Sequence, residues 1–420
     1  MSDHLIGLLL GTEEDWPRAF EALVGRLGDV RWRGETHRLT TERILNEPFD
    51  LRATPRYALV IDRLAWWYDL PREWLKKISL GDDVYLLNNP FTFQAMEKHS
   101  AYVAMMRLGL KVPDTWMVPH KAPTPIPRFD YMAEKFADVA SRYNAPFDLA
   151  EIGRRIGYPL YMKPFDGGQW VGVTRIENET ELQQRYDASG ERLMHLQAAV
   201  DDFDVFVRSL SIGAETMTMR FDPSAPLHLR YIVDHAVLSP DVGHEVVTIS
   251  RLVNAFFRWE FNSCETLVKD DGVYPIDYAN ASPDVALTSL HYYFPWAIKT
   301  LVKWSAFCTV TGRPMRVSQN TRDYFAIGDR GDLSYEQKLA EYRALADSYF
   351  QAELYSEFCA EAIPHVDDLA HEWFDSPDFD AVLVEIVRDT FPEHEHEEMV
   401  VRHRGLLAQW VREQPPVAAR

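Results

Sequence analysis

The segment that most constrains this chain runs Tyr158-Pro159-Leu160-Tyr161-Met162-Lys163-Pro164-Phe165-Asp166-Gly167-Gly168-Gln169-Trp170-Val171-Gly172-Val173. A short apolar run of this kind reads as a strand that delivers Lys163 to its end. The glycines that follow allow a tight loop whose amides can converge on an anion. A lysine beside such a loop supplies a mobile point cation for phosphate. No Gly-Lys-Ser/Thr triplet follows, and the glycines do not sit at an N-terminal strand, so neither of the two commonest nucleotide motifs is present. The plainer alternative is an ordinary glycine turn with Lys163 in solvent, and the rest of the sequence must decide between them.

Three groups of residues accompany the segment. Lys98 lies on a predicted helix after Asn88-Asn89-Pro90, where a long side chain reaches a cleft from a different part of the chain; the alternative is a surface lysine. Gln197 and Asp204 flank an apolar run from Leu193 to Val207, with chemistry suited to an adenine edge and a ribose hydroxyl. Glu265, Asp277 and Asn280 gather hard oxygen donors on two adjacent predicted strands. Magnesium prefers oxygen ligands and bridges protein carboxylates to phosphates. Separate surface acids beside a hairpin are the competing reading.

The pattern changes along the chain. Leu5–Leu10, Tyr57–Ile61 and Val84–Leu87 read as strands, with a helix from Trp16 to Leu27, which describes an α/β unit over residues 1–115. Helical periodicity from Phe93 to Leu108 stops at Gly109, and the prolines of 119–127 exclude a regular helix. Further helices are expected at Ala133–Tyr143 and Leu149–Ile156. Strands are expected to begin at Leu160, Val171, Leu193, Val205, Leu227, Ala236 and Val246, short enough to suggest antiparallel sheets. Asp270-Asp271-Gly272 marks a hairpin between Glu265–Val268 and Val273–Tyr278. From 293 onward the segments 293–308, 335–365, 367–374, 378–390 and 395–413 are helical. The division is thus 1–115, 116–310 and a helical extension over 311–420, in the α/β and α+β classes.

Charge and cysteine content exclude several functions. The net charge of -20 disfavours a nucleic-acid partner, whose binding draws on clustered cations. Cys264, Cys308 and Cys359 lack paired spacing, so neither a disulfide framework nor a zinc site is expected, and the usage fits a reducing, cytoplasmic compartment. The Leu5–Leu10 run is too short to span a membrane.

Taken in order, these parts resemble the ATP-grasp superfamily, which includes D-alanine–D-alanine ligase, glutathione synthetase and glutamate-ligase enzymes. Asn88-Asn89-Pro90, Lys98 and Gly109-Leu110-Lys111-Val112-Pro113 resemble its lead-in, and Tyr158–Val173 its lysine and glycine-rich phosphate loop. Gln197 and Asp204 resemble its nucleotide-binding residues, with Gln197 in place of the commoner carboxylate. Glu265 and Asn280 resemble the first and last magnesium ligands. Here the family's Glu-x-Asn is replaced by Asp277-Tyr278-Ala279-Asn280. On a regular strand Asp277 and Asn280 point oppositely, and a bulge or curved end brings them together. The resemblance covers about residues 1–310.

The resemblance implies an ATP-grasp fold and an ATP- and Mg2+-dependent carboxylate-amine ligase acting through an acyl phosphate. Lys98, Lys163, Gly167, Gly168, Gln197 and Asp204 would hold ATP; Glu265, Asp277 and Asn280 would hold the metal. The substrates implied are a small-molecule or peptide carboxylate and an amine, with no nucleic acid or membrane, and a homo-oligomer is compatible. The carboxylate needs a cation, for which Arg208, Arg220, Arg230, Arg251 and Arg258 are available. Arg258 is taken as the catalytic partner of Lys163 because it is close in sequence to the metal hairpin. His244 is a candidate for proton transfer or substrate recognition, against the plainer reading of a polar core or loop histidine, and Asp62-Arg63 is either a specificity element or an ion pair. Trp66, Trp67 and Tyr68 are expected to pack. Two other readings stay open: a small-molecule kinase on the same scaffold, and a nucleotide-binding scaffold without catalysis.

Overall fold

In the computed structural model the described residues are 1–92, 98–122, 142, 145–168, 170–270, 272–280 and 282–414. They form a mixed α/β protein with three sheets. The first contains β1 (Ser2–Leu9), β2 (Asp29–Trp32), β3 (Glu35–Arg43), β4 (Leu59–Asp62) and β5 (Tyr85–Leu87), in the order β2-β3-β1-β4-β5. Its pairings are parallel except β2–β3. The strands expected from Leu5, Tyr57 and Val84 are β1, β4 and β5. The β2–β3 hairpin was not legible, since Glu35–Arg43 carries charged and polar residues on its outer face.

The second sheet is antiparallel, ordered β6-β9-β7-β8, from β6 (Thr115–Val118), β7 (Leu160–Pro164), β8 (Thr174–Ile176) and β9 (Met194–Ala198). The third is also antiparallel, ordered β12-β11-β10-β13-β14. It comprises β10 (Val205–Ile212), β11 (Glu215–Phe221), β12 (Tyr231–Ile232), β13 (Phe261–Lys269) and β14 (Gly272–Asp277). The expected hairpin is β13–β14; Asp271 of its turn lies outside the described residues.

Three expectations fail. Leu227–Leu229 is a short 3-10 turn, no strand starts at Ala236, and Val246 lies inside an 18-residue helix, Pro240–Phe257. The Ser239 side chain caps that helix by accepting from the Val242 amide, and Pro240 occupies its first turn. The start signal was in the sequence; the β-branched run Val246-Val247-Thr248-Ile249 outweighed it. The expected helix over Ala133–Tyr143, apart from residue 142, the first residues of the Phe93–Leu108 helix and part of the proline-rich stretch lie outside the described residues. The helix Lys98–Arg107 is described, and Gly109 follows it with φ +82, as a left-handed helix stop requires.

Apolar packing follows the sheets. One continuous core joins the first sheet, the third sheet and the helices of 294–413, with Trp16, Phe261, Trp304 and Phe358 all essentially inaccessible. A smaller core lies against the second sheet, built from Val118, Leu160, Met162, Ile176, Leu182 and Leu196. The helices Phe294–Val310, Tyr335–Phe350, Ala352–Glu361, Val366–Phe374, Pro377–Thr390 and His396–Glu413 match the helical expectation, except that Gln351, at φ +53, breaks the 335–365 segment in two. Among the described residues, no helix is long and apolar enough to cross a membrane.

Candidate active site

The site begins with register. β7 and β9 pair so that Lys163 stands opposite His195 and Tyr161 opposite Gln197, which puts all four side chains on one face. Lys163 Nζ donates to Gln197 Oε1 at 2.6 Å, and Gln197 Nε2 donates to Thr115 Oγ1 on β6 at 2.9 Å. Both Lys163 and Gln197 are buried. Burial pushes the Lys163 amine down to about 8; nearby Lys98 adds to the shift while Asp277 and Glu265 oppose it. Beyond β7, Gly167 adopts φ +93, and a Cβ on Gly167 or Gly168 would meet open space. The loop therefore faces a clear volume rather than a packed wall.

Lys98 crosses into this volume from the first turn of the Lys98–Arg107 helix. Its Nζ donates to the Gly167 carbonyl at 3.0 Å and pairs with Asp277 Oδ2 at 3.1 Å. Burial lowers its affinity for a proton, but Asp277, with help from Glu265 and Asp166, more than offsets this, so the amine is held above its ordinary value. One side chain thus ties the glycine loop to the third sheet.

The unusual spacing of Asp277 is resolved by a bulge. From Lys269↔Gly272 to Thr266↔Pro275 the β13–β14 pairing is regular, and continuing it would set Ile276 opposite Glu265. The register shifts between Glu265 and Thr266, so Asp277 takes that place. The two carboxylates become direct cross-strand neighbours. Asn280 reaches the same spot: its amide, oriented to satisfy both ends, accepts from Arg208 Nη2 at 2.9 Å and from the Ser263 hydroxyl at 3.1 Å and donates to the Ser282 carbonyl. Arg208, opposite Glu265 across β10–β13, lies 3.6 Å from its carboxylate and donates to Ser263 Oγ at 3.2 Å.

Burial raises the Glu265 carboxyl, Arg208 pulls it down, and Asp277 pushes it up again. Two half-buried carboxylates that repel each other, with an amide oxygen beside them, form a hard-oxygen donor set that a divalent cation would relieve. Glu265, Asp277 and Asn280 therefore fit magnesium. Among the described residues no group of three or more His, Cys, Asp or Glu side chains is arranged to hold a metal, so such an ion would depend on oxygen donors from a phosphate to complete its shell.

Other expected residues are placed elsewhere. Arg258 is the left-handed cap of the Pro240–Phe257 helix; its guanidinium donates to the carbonyls of Ala255 (2.7 Å) and Ser318 (3.3 Å) and lies over Tyr349 at 4.3 Å. Those contacts make it a helix-end anchor, and sequence proximity to the hairpin was a poor guide because the intervening turn reverses the chain. Arg220 pairs with Asp234, Arg230 with the Ala225 carbonyl and Arg251 with Asp347. Of the five arginines, Arg208 is the one joined to the carboxylate cluster. Asp204 is exposed and accepts from the Asp270 amide at 2.9 Å, bracing the hairpin turn. Gln197 is engaged by Lys163 and Thr115. His244 is exposed and bonded to Arg343. Arg63 pairs with Glu13 at 2.8 Å and donates to the Pro283 carbonyl, the ion-pair alternative. Trp67 and Tyr68, expected to pack, are 58% and 60% exposed.

Sequence reasoning passed over Thr115, Ser263 and Tyr102. Ser263 was findable, since it precedes Glu265 by one strand period. Tyr102, whose hydroxyl donates to the Ile276 carbonyl at 2.9 Å, required the tertiary contact.

No protein-family model matches the chain, and no curated protein matches it in sequence. In structure it resembles ATP-grasp proteins. One is the RimK domain ATP-grasp protein of Sphaerobacter thermophilus, at 13% identity and TM-score 0.46, with 71% of this chain and 98% of that one covered. Another is the D-alanine–D-alanine ligase of Bacillus anthracis in complex with ATP, at 14% identity and TM-score 0.43, covering 82% and 99%. A third is the macrocyclase MdnC of Microcystis aeruginosa with its precursor peptide, at 10% identity and TM-score 0.44, covering 71% and 98%. Likenesses at this level leave the chemistry to be argued from the chain's own side chains.

Proposed function

We propose that the chain is an ATP- and Mg2+-dependent ligase that joins a carboxylate to an amine through an acyl phosphate. The observation that carries this reading is the position of Lys98, bonded at once to the glycine-loop carbonyl and to Asp277. It ties the glycine loop to the carboxylate cluster beside the second lysine, the set that phosphoryl transfer from a nucleotide needs.

In this reading Lys163, oriented by Gln197, and Lys98 hold the phosphates, with the amides around Gly167 and Gly168 against the transferring group. A carboxylate oxygen of the substrate attacks the terminal phosphorus, and ADP leaves with the electrons of the broken P–O bond. The amine nitrogen then attacks the acyl carbon, phosphate departs and the amine proton is lost to solvent. Arg208, paired with Glu265 of the cluster, would take the substrate-carboxylate role first assigned to Arg258. A magnesium ion held by Glu265, Asp277 and Asn280 would supply compensation for the charge of the phosphates. The remaining contribution is positioning, which holds reactants at attack distance.

The depressed Lys163 value sets a pH dependence. Its folded value lies below the ordinary lysine value, so the ammonium is the disfavoured form: the cost of burying it is present in full below about 8 and is relieved as pH rises. A polyphosphate needs the ammonium. Affinity for MgATP should therefore weaken as pH rises through about 8, and a Lys163→Met variant should bind weakly with a flatter profile; calorimetric titration across that range checks it.

The decisive assay offers carboxylates and amines with ATP and Mg2+ and follows nucleotide and product mass. ADP together with a new amide supports the ligase. A phosphorylated acceptor without condensation favours a kinase, and ATP binding without turnover favours a scaffold.

A further inference from the structure

Trp170 sits in the loop between β7 and β8 and is not used by the chemistry above. It adopts φ +64, a left-handed conformation uncommon for a bulky side chain. Glycines are close by in the same loop, at Gly167, Gly168 and Gly172, and a glycine at 170 would relieve the strain. The indole leaves the second sheet altogether and packs on Phe206 of β10 in the third, with ring centroids 6.2 Å apart at 44°. Phe206 is buried and continues into Phe221 at 5.4 Å, while Phe203 lies against it from the exposed side at 6.3 Å. Trp170 remains 36% exposed, so the contact is a docking at the rim rather than core packing.

The backbone transmits this docking to the phosphate loop. The Val171 amide donates to the Gly168 carbonyl and the Val173 amide to the Trp170 carbonyl, both at 3.2 Å. Gly167 is held from the other side by Lys98. The glycines thus hang between two anchors, Lys98 on the helix side and Trp170 on the third sheet, across the open volume beside Gly167 and Gly168.

We propose that Trp170 is a positioning residue that pins the Gly167–Gly168 loop to the third sheet, fixing the loop amides over the nucleotide phosphates and shielding the acyl phosphate from water. The proposal rests on the nucleotide reading above. An indole that merely filled a surface gap would affect neither binding nor coupling.

The test uses the full chain, Mg2+ and a non-hydrolysable ATP analogue, with Trp170→Ala and Trp170→Phe beside the unmodified protein. An aromatic contact of this kind contributes enough that its loss should weaken analogue binding by roughly three- to tenfold. Phenylalanine should restore affinity to within about twofold, since it keeps a ring for Phe206. Analogue addition should change tryptophan emission more in the unmodified protein than in Trp170→Phe. Given turnover, Trp170→Ala should release more ADP per ligated product. Equal affinity and coupling in Trp170→Ala, or a loss that phenylalanine does not repair, would overturn the role of Trp170 while leaving the ATP reading in place. Failure of the unmodified protein to bind the analogue would overturn both.

Discussion

Glu265→Gln is expected to lower turnover by about 100- to 1000-fold, the range found when one preorganised charge-stabilising group is removed from a transition state. Glutamine keeps the shape and one oxygen but removes the charge that, with Asp277, would make the cluster a cation site. The Mg2+ concentration needed for half-maximal rate should rise with it. The fold should not suffer. Burial already holds the Glu265 carboxyl above its ordinary value, so its charged form is a cost to the folded state once the pH passes the unfolded carboxylate value. A neutral glutamine removes that cost, and the unfolding midpoint at neutral pH should stay or rise. Lys163→Ala should lose a comparable factor through the phosphates, with Gln197 left without its buried donor. Near-normal rates in both purified variants would sink the proposed site.

The parts of this site that depend on local pattern were legible, and those that depend on register were not. Glycines after a strand-borne lysine, and an Asp-Gly turn between apolar runs, carry their own conformational reasons, so the Tyr158–Val173 loop and the β13–β14 hairpin could be placed from the local order of residues. The Asp277 problem was legible only as a problem. A spacing of three on a strand demands an irregularity, but the local sequence does not say which residue slips; in the fold it is Ile276, which leaves Asp277 opposite Glu265. Arg258 shows the opposite error. Proximity in sequence to Glu265 suggested a shared edge, yet the left-handed turn at Arg258 sends its side chain towards Ser318 and Tyr349. Arg208, 57 positions before Glu265 in the chain, is its direct cross-strand neighbour. Long-range pairing of this kind has no single-sequence signature.

Glu260→Ala is expected to destabilise the protein by about 3–5 kcal/mol, the cost of leaving one member of a buried ion pair without its partner. Glu260 and Arg313 are both almost wholly inaccessible, 3.1 Å apart. The carboxylate also accepts from Tyr85 Oη (2.7 Å), Tyr349 Oη (2.6 Å) and Trp304 Nε1 (2.9 Å). These donors come from β5 of the first sheet and from the helices Phe294–Val310 and Tyr335–Phe350, so one side chain joins the N-terminal sheet to the helical region. The neighbouring backbone is built around the same contact: Gly213, at φ +55, lies so close to the Trp304 ring that any Cβ would overlap it. Arg313 donates in addition to the Tyr349 carbonyl at 2.8 Å. Removing the carboxylate therefore strands a buried guanidinium and three polar donors together. Glu260→Gln, which keeps an acceptor but not the charge, should lie between the two. The paired change Glu260→Leu with Arg313→Met should recover only the part of the loss that comes from the stranded guanidinium, because Tyr85, Tyr349 and Trp304 still lose their acceptor. A urea midpoint for Glu260→Ala close to that of an exposed-pair control such as Glu385→Ala would show that the helical region is held on by apolar packing alone.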